Sequence, residues 1–398
     1  MVHGMSNGSG GGAPNGKQGH RAPQEDPQPA HPPVQGMWLA LDAMGSDHGP
    51  AMTVAGALNG IHVHGVNVVL VGDETQLKAE VQKQGAQALL GSRLKIQHAS
   101  DVASMQDKVA QVVRKKDTSM RVAMDLVKSG AAHAVVSAGN SGAYMGTALL
   151  AFGRIKGVIR PAIGTLLPNP HTGKLTLLLD AGANTAVAPP YLTQWAFMGD
   201  AYARIMMNVP RPALAVLSNG EEDSKGTDIT RAANAALKAS PGSLNYVGYC
   251  EGRDMLTGGV DIVVTDGFTG NVVLKTIEGV GRAMRDGMEA RFRQSVVSRL
   301  QYLLVHNIMT ELRNSLDYRR TGGAPLLGVN GVCIVAHGKS DEVALGHALR
   351  VARTHVDLGL NAAIARAMVE HHSLFPDAKE SARKFTEKPD TTAEKLAQ

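Results

Sequence analysis

Six short turns carry most of the residues in this chain that could do chemistry. They read LDAMGSDHGP (Asp42, Gly45), SAGNSG (Gly139, Asn140, Gly142), DAGANT (Asp180, Asn184), SNGEEDSKGTD (Glu222, Lys225), TDGFTGN (Asp266, Gly267, Gly270, Asn271) and AHGKSD (His337, Gly338, Ser340). Glycine lets a backbone N–H approach an anion closely, and Asp or Asn caps the helix that follows. Any one such turn has a purely structural explanation. Six in the same register point to a site for a phosphate or another oxyanion. Lys225 stands as one cation among acids and amides, just before a helix expected to begin near Thr227. Position alone favours a solvated surface charge, and its functional reading is a phosphate or oxyanion ligand beside a helix N-terminus. Asn271, read as opening a helix after Gly267 and Gly270, suits a plain cap or an amide donor to a developing oxyanion.

Other chemistries find little support. The chain has no G-x-S-x-G elbow and no H-E-x-x-H, so covalent serine catalysis and zinc proteolysis are disfavoured. Gly338-Lys339-Ser340 follows an apolar run, but the earlier glycine that a P-loop requires is Cys333. Gly279-Val280-Gly281 falls within a helical pattern rather than at a strand-to-helix turn, which weakens dinucleotide binding. Cys250 and Cys333 have no metal-ligand spacing and read as buried free thiols in a reducing cytoplasm. No metal site or cofactor is expected.

The elements that would position these turns are short apolar runs followed by helix-period segments. The runs are Trp38–Leu41, Val66–Val71, Leu94–Gln97, His133–Ser137, Ala162–Leu167, Leu175–Leu179, Ala213–Leu217, Asn245–Tyr249, Asp261–Thr265 and Val332–Ala336. Continuous rather than alternating hydrophobicity implies strands covered on both faces. That pattern predicts a three-layer α/β/α sandwich with a mostly parallel sheet. In an open parallel sheet all six turns would leave the carboxyl edge and converge on one site. The 398 residues, 43% apolar and 19% charged, can bury a large core. Only 4% are aromatic, which argues against stacking platforms for nucleic acid. The net charge of +5 suits an acidic protein partner, a phosphate-bearing substrate or an anionic membrane surface as well as it suits nucleic acid. Residues 1–36 hold eight glycines, six prolines and no aromatic, and are expected to be a disordered tail. The folded region is expected over 37–378, with a polar C-terminal tail over 379–398.

The segments DAMGSDHGP, RKKDTSM, SAGNSGA, GRIKGVIRPAIGTLLPN, LLLDAGAN, SNGEEDSKGTD, VVTDGFTGNVVLKTIEG and YRRTGGAPLLGVNG, in that order, resemble the phosphate acyltransferase family of bacterial phospholipid synthesis. The likeness runs from about Trp38 to about Met368. It implies transfer of a long-chain fatty acyl group from acyl carrier protein to inorganic phosphate. It also implies a homodimer with a fold akin to phosphotransacetylases and isopropylmalate-type dehydrogenases. The acyl phosphate would pass to a membrane glycerol-3-phosphate acyltransferase. By motif position the family's proposed active-site lysine and asparagine fall on Lys225 and Asn271. The chain departs from the pattern at Ser46, at Ser141 and across Ser104-Met105-Gln106-Asp107-Lys108, which leaves any role of that last loop open. Without the resemblance, the competing readings are an NAD-dependent dehydrogenase on the same architecture and a non-enzymatic membrane-docking protein.

From Arg282 to Arg313, Val297, Leu300, Leu303, Leu304 and Ile308 recur at helical spacing among six arginines. Alone, the stretch suits core packing, a dimer seam or an interfacial helix. The resemblance implies a helical hairpin that docks on anionic membranes, making the protein cytoplasmic and peripherally membrane-associated. The basic run Arg114-Lys115-Lys116 suits a solvated helix face or a surface for the acidic carrier.

Overall fold

The structure, a computed structural model, describes residues 36–104, 107–169, 172–240, 242–295, 297, 302, 305 and 322–375. Both expected tails, apart from Gly36, therefore lie outside the described residues, as do Leu300, Leu303, Leu304 and Ile308.

In chain order the elements are β1 (Trp38–Asp42), α1 (Gly49–His64), β2 (Asn67–Gly72), α2 (Glu74–Lys83), β3 (Leu94–His98), α3 (Val109–Val112), α4 (Ser119–Lys128), β4 (Ala134–Ser137) and α5 (Ser141–Phe152). They continue with β5 (Ala162–Pro168), β6 (Leu175–Leu179), α6 (Pro189–Met206), β7 (Ala213–Leu217), α7 (Asp228–Lys238), β8 (Asn245–Cys250) and β9 (Ile262–Val264). Last come α8 (Gly267–Arg293), β10 (Ala324–Leu327), β11 (Val332–Val335), α9 (Glu342–Asp357) and α10 (Leu360–Glu370). The strands form an 11-stranded sheet in the order β3-β2-β1-β4-β11-β10-β5-β6-β9-β7-β8.

Each inner strand is buried on both faces. Leu39 and Leu41 of β1 pack on one side with α1 and α9, while Ala40 between them packs on the other with α4 and α5. In the other half Leu177 and Leu179 of β6 face α6, and Leu178 joins the opposite core. This two-sided burial is the three-layer α/β sandwich that the continuous apolar runs imply. Helix α6 is buried over Tyr191–Gly199, around its whole circumference. Its polar groups are satisfied by the loop before β5: Trp195 Nε1 donates to the Arg160 carbonyl at 3.0 Å, and Gln194 Oε1 accepts from the Ile159 N–H at 2.8 Å. Cys250 and Cys333 are buried free thiols.

The sheet is mostly parallel, but it is not open and parallel throughout. Strand β10 runs antiparallel to both β11 and β5, and β5 runs antiparallel to β6. Three successive reversals leave the block β6-β9-β7-β8 opposite in sense to the block β3-β2-β1-β4-β11. Convergence of all six turns on one carboxyl edge is thereby corrected. The turns after β1, β4 and β11 leave one edge, and those after β6, β7 and β9 leave the other. An apolar run buried on both faces carries no mark of its direction, so periodicity could not reveal the reversal.

Replacing Trp195 by alanine removes the largest fully buried side chain and strands the Arg160 carbonyl. The expected loss is about 3–5 kcal/mol, read from denaturant unfolding followed by circular dichroism.

Candidate active site

The first cluster gathers the turns after β1, β4 and β11. Asp42 ends β1 fully buried, and its carboxylate accepts from the Ser137 hydroxyl at 2.7 Å and from the Met44 N–H at 3.3 Å. Ser137 in turn accepts from the Gly139 N–H at 3.1 Å. A Cβ on Gly45 would lie 2.7 Å from Asp42 Oδ2 and 3.0 Å from the Gly139 nitrogen, so only glycine lets the two turns abut. The third turn is joined by the Ala336 N–H donating to the Ser137 carbonyl at 2.8 Å and the Asp47 N–H donating to the Gly338 carbonyl at 2.9 Å. Asn140 caps α5, its Oδ1 accepting from the Ala143 N–H at 3.0 Å. Gly142 sits in the first turn of that helix against the methyl of Val109.

The second cluster is the turn after β6 with the start of α8. Asp180 Oδ1 accepts from the N–H groups of Ile163 (3.0 Å), Gly182 (3.2 Å) and Ala183 (3.0 Å). Its Oδ2 accepts from Asn184 N (2.7 Å) and Asn184 Nδ2 (2.8 Å). The Asn184 carbonyl then receives the Gly267 N–H at 2.7 Å. A Cβ on Gly270 would come within 2.0 Å of the Asp180 carbonyl oxygen, so the helix can lie against this turn only with glycine there. Asn271 follows directly, exposed, with its side chain beside Gly182.

Asn271 does not open its helix. The cap is Asp266, which accepts from the Thr269 N–H at 2.9 Å and the Thr269 hydroxyl at 2.7 Å, and α8 starts at Gly267. The N–H groups after Gly270 therefore lie inside the helical ladder and are not available to an oxyanion. The Asn271 side-chain amide remains the available donor. The acids behave similarly. The structure uses Asp42, Asp180 and Asp266, with Asn184, to brace the loops they belong to rather than to meet a ligand. Burial pushes the carboxyls of Asp42 and Asp180 above the usual range, opposed by the hydrogen bonds they accept.

The third cluster is the loop after β7. The Gly226 N–H donates to Asn219 Oδ1 at 2.8 Å, and Thr227 caps α7 in a reciprocal capping box with Thr230. Lys225 is exposed, its stem packed over Gly220 beside Glu222, which is also exposed. Among the described residues no carboxylate pairs with the Lys225 ammonium, whereas neighbouring Asp223 is engaged by Lys238 and Asn234.

Helix α8 joins the first two clusters despite their opposite edges. Leu274 packs into the cores of both sheet halves. One turn beyond Asn271, Lys275 Nζ lies 3.3 Å from His337 Nε2, in the turn after β11. The loop of Lys225 shares an edge with Asp266 through the order β6-β9-β7, and no hydrogen bond or ion pair among the described residues ties its side chain to the other clusters. No local sequence signal marks Lys275, because its partner lies 62 positions away. The site is thus a set of rigidly braced glycine turns, amide donors and lysines, suited to holding a phosphate against a carbonyl carbon. The described residues contain no cluster of His, Cys, Asp or Glu able to hold a metal ion.

Substituting Asp180 by asparagine would point an amide at backbone donors that need an acceptor. A loss of about 1–3 kcal/mol is expected, visible as a lower Tm in differential scanning calorimetry.

Comparison with known proteins gives the family and the fold. Residues 37–363 match the family model described as "Fatty acid synthesis protein". A phosphate acyltransferase of Anaeromyxobacter dehalogenans is 47% identical over 343 residues, covering 85% of this chain and 92% of that protein. One from Geobacter sulfurreducens is 45% identical over 333 residues, covering 83% and 94%. Among solved structures, a phosphotransacetylase from Streptococcus pyogenes superposes with a TM-score of 0.52 at 16% identity, covering 83% of this chain and 94% of that one. The EutD phosphotransacetylase from Staphylococcus aureus superposes at 0.50, also at 16% identity, over 80% and 94%. These two likenesses concern the fold alone. On extent and identity together, the chain belongs to the Fatty acid synthesis protein family, alongside the phosphate acyltransferases.

Proposed function

We propose that the protein transfers a long-chain fatty acyl group from the thioester of an acyl carrier protein to inorganic phosphate. A phosphate oxygen attacks the thioester carbonyl, the C–S bond breaks, and the carrier leaves as its thiolate, which takes up a proton. The products are an acyl phosphate and free carrier. Because phosphate is the nucleophile, no activated serine, cysteine or histidine is required. The observation that carries the reading is the set of glycine turns brought against the polar flank of α8, where Asn271 and Lys275 lie one turn apart. Lys225 pairs with the dianion. The Asn271 amide receives the oxyanion of the tetrahedral intermediate, an interaction of about 3–4 kcal/mol in kcat. Gly139, Asn140 and Gly142 line the phosphate side of the pocket. Thioester and acyl phosphate are of comparable transfer potential, so neither nucleotide nor cofactor is needed.

The same reading makes the enzyme a cytoplasmic homodimer that docks peripherally on anionic membrane and hands acyl phosphate to a membrane glycerol-3-phosphate acyltransferase. Supporting it, Phe268, Val272, Val280 and Met284 stand on the outer side of α8, between 49% and 63% exposed. We assign this face to the seam between two copies. Val297, 65% exposed, is the first of the membrane-facing residues assigned in the 282–313 segment. Among the described residues no helix is long and apolar enough to cross a membrane. In the basic run assigned to the carrier, Lys115 is paired with Asp101 at 3.0 Å. That leaves Arg114 and Lys116 as the charges for an acidic partner.

Incubating the protein with palmitoyl carrier protein and phosphate, without nucleotide or metal, should yield palmitoyl phosphate, trapped as the hydroxamate. Lys225→Ala should cut that yield by about 10²–10³-fold while the circular dichroism spectrum is unchanged. Near-normal turnover by this variant would remove Lys225 from the mechanism. Val280→Glu combined with Met284→Glu should move the protein toward monomer in sedimentation-velocity runs, and an unshifted dimer would place the seam elsewhere.

A further inference from the structure

The contact between Lys275 and His337 cannot be satisfied by the two side chains themselves. The Lys339 N–H donates to His337 Nδ1 at 3.2 Å, so that nitrogen carries no proton. The hydrogen of the neutral ring then sits on Nε2, which faces the Lys275 ammonium at 3.3 Å. Two donors meet with no lone pair between them. Protonating the ring would set two cations against each other. Partial desolvation, helped by Lys275, holds His337 below the usual histidine range and so favours the neutral ring.

The surroundings hold this arrangement in place. The Gly338 carbonyl accepts from the Asp47 N–H at 2.9 Å and from the Ser46 hydroxyl at 3.3 Å, which pins the turn after β11 to the turn after β1. Lys275 projects from α8 and is tethered by Glu278 at 2.9 Å, with its side chain still 47% exposed. An acceptor with several lone pairs, placed beside both groups, would take one hydrogen from the ammonium and one from Nε2. A phosphate offers that geometry, and Asn271 lies one turn away on the same flank of α8.

We propose that Lys275 and His337 form a clamp for a phosphate group during turnover. The proposal rests on the acyl-to-phosphate reading and deepens it. The phosphate can come from two sources: the attacking orthophosphate, or the phosphodiester of the carrier's pantetheine arm. Gly338-Lys339-Ser340, which fails as a P-loop, acquires a role here, because its Lys339 N–H sets the histidine tautomer.

The test uses the full-length chain. Inorganic phosphate binding is measured by isothermal titration, and initial rates are measured with phosphate and palmitoyl carrier varied separately. Lys275→Met should raise the KM for one of the two substrates about tenfold, the loss of one charge-assisted hydrogen bond, and leave the other within twofold. A raised KM for orthophosphate with weaker binding in the titration assigns the clamp to the nucleophile, and a raised KM for the carrier assigns it to the arm. Glu278→Gln releases Lys275 from its tether and should lower the same KM, a gain that a misfolded variant cannot produce. The clamp is overturned if both variants keep both KM values and the phosphate Kd within twofold of the parent, even if kcat falls. If the parent itself fails to make acyl phosphate, the function fails, while the titration still reads whether Lys275 contacts phosphate.

Discussion

The molecule depends on the seating of α8 against the turn after β6. That seating needs a carboxylate, Asp180, accepting from five donors to hold its turn in one shape. It also needs two glycines, Gly267 and Gly270, with no Cβ to keep the helix away from the turn's carbonyl groups. Once the first turn of α8 is fixed, the rigid helical rise dictates the rest. Leu274 packs on both cores, Lys275 arrives at His337, and Phe268, Val272, Val280 and Met284 stand exposed.

This seating also resolves the geometric problem set by the sheet. Strand polarity alone would separate the turns of the two blocks onto opposite edges. A helix that starts at one edge and runs back over the sheet toward the other brings a residue from each block within one helical turn. The buried acids that line the route make no direct offer to a ligand. They restrain the glycine loops in a single shape, as the N–H groups converging on Asp180 show.

Much of this was legible in the chain itself. Ten apolar runs coincide with strands to within a residue or two at each end, because two-sided burial leaves an unbroken apolar signature. The helix beginning near Thr227 is present, with Thr227 as its cap. Strand β10 carries no such signature. Its four residues include Pro325, and so short a run behind two glycines reads as loop. With β10 went the polarity of half the sheet. The start of α8 lies a turn earlier than Asn271 suggests, because TDGFTGN offers two cap residues and spacing cannot choose between Asp266 and Asn271. Asp42 and Asp180 look like ligands in a string of letters, and only the surrounding N–H groups reveal them as supports. The meeting of Lys275 with His337 is a tertiary event with no local signature.

The buried thiols bear on what such an enzyme avoids. Burial pushes Cys250 and Cys333 up to about 12. The thiolate, the nucleophilic form, is therefore strongly disfavoured at both positions near neutrality. An acyltransferase can lose an activated acyl group to its own cysteines. Here both sulfurs are protonated and walled off, so neither competes with phosphate for the acyl group.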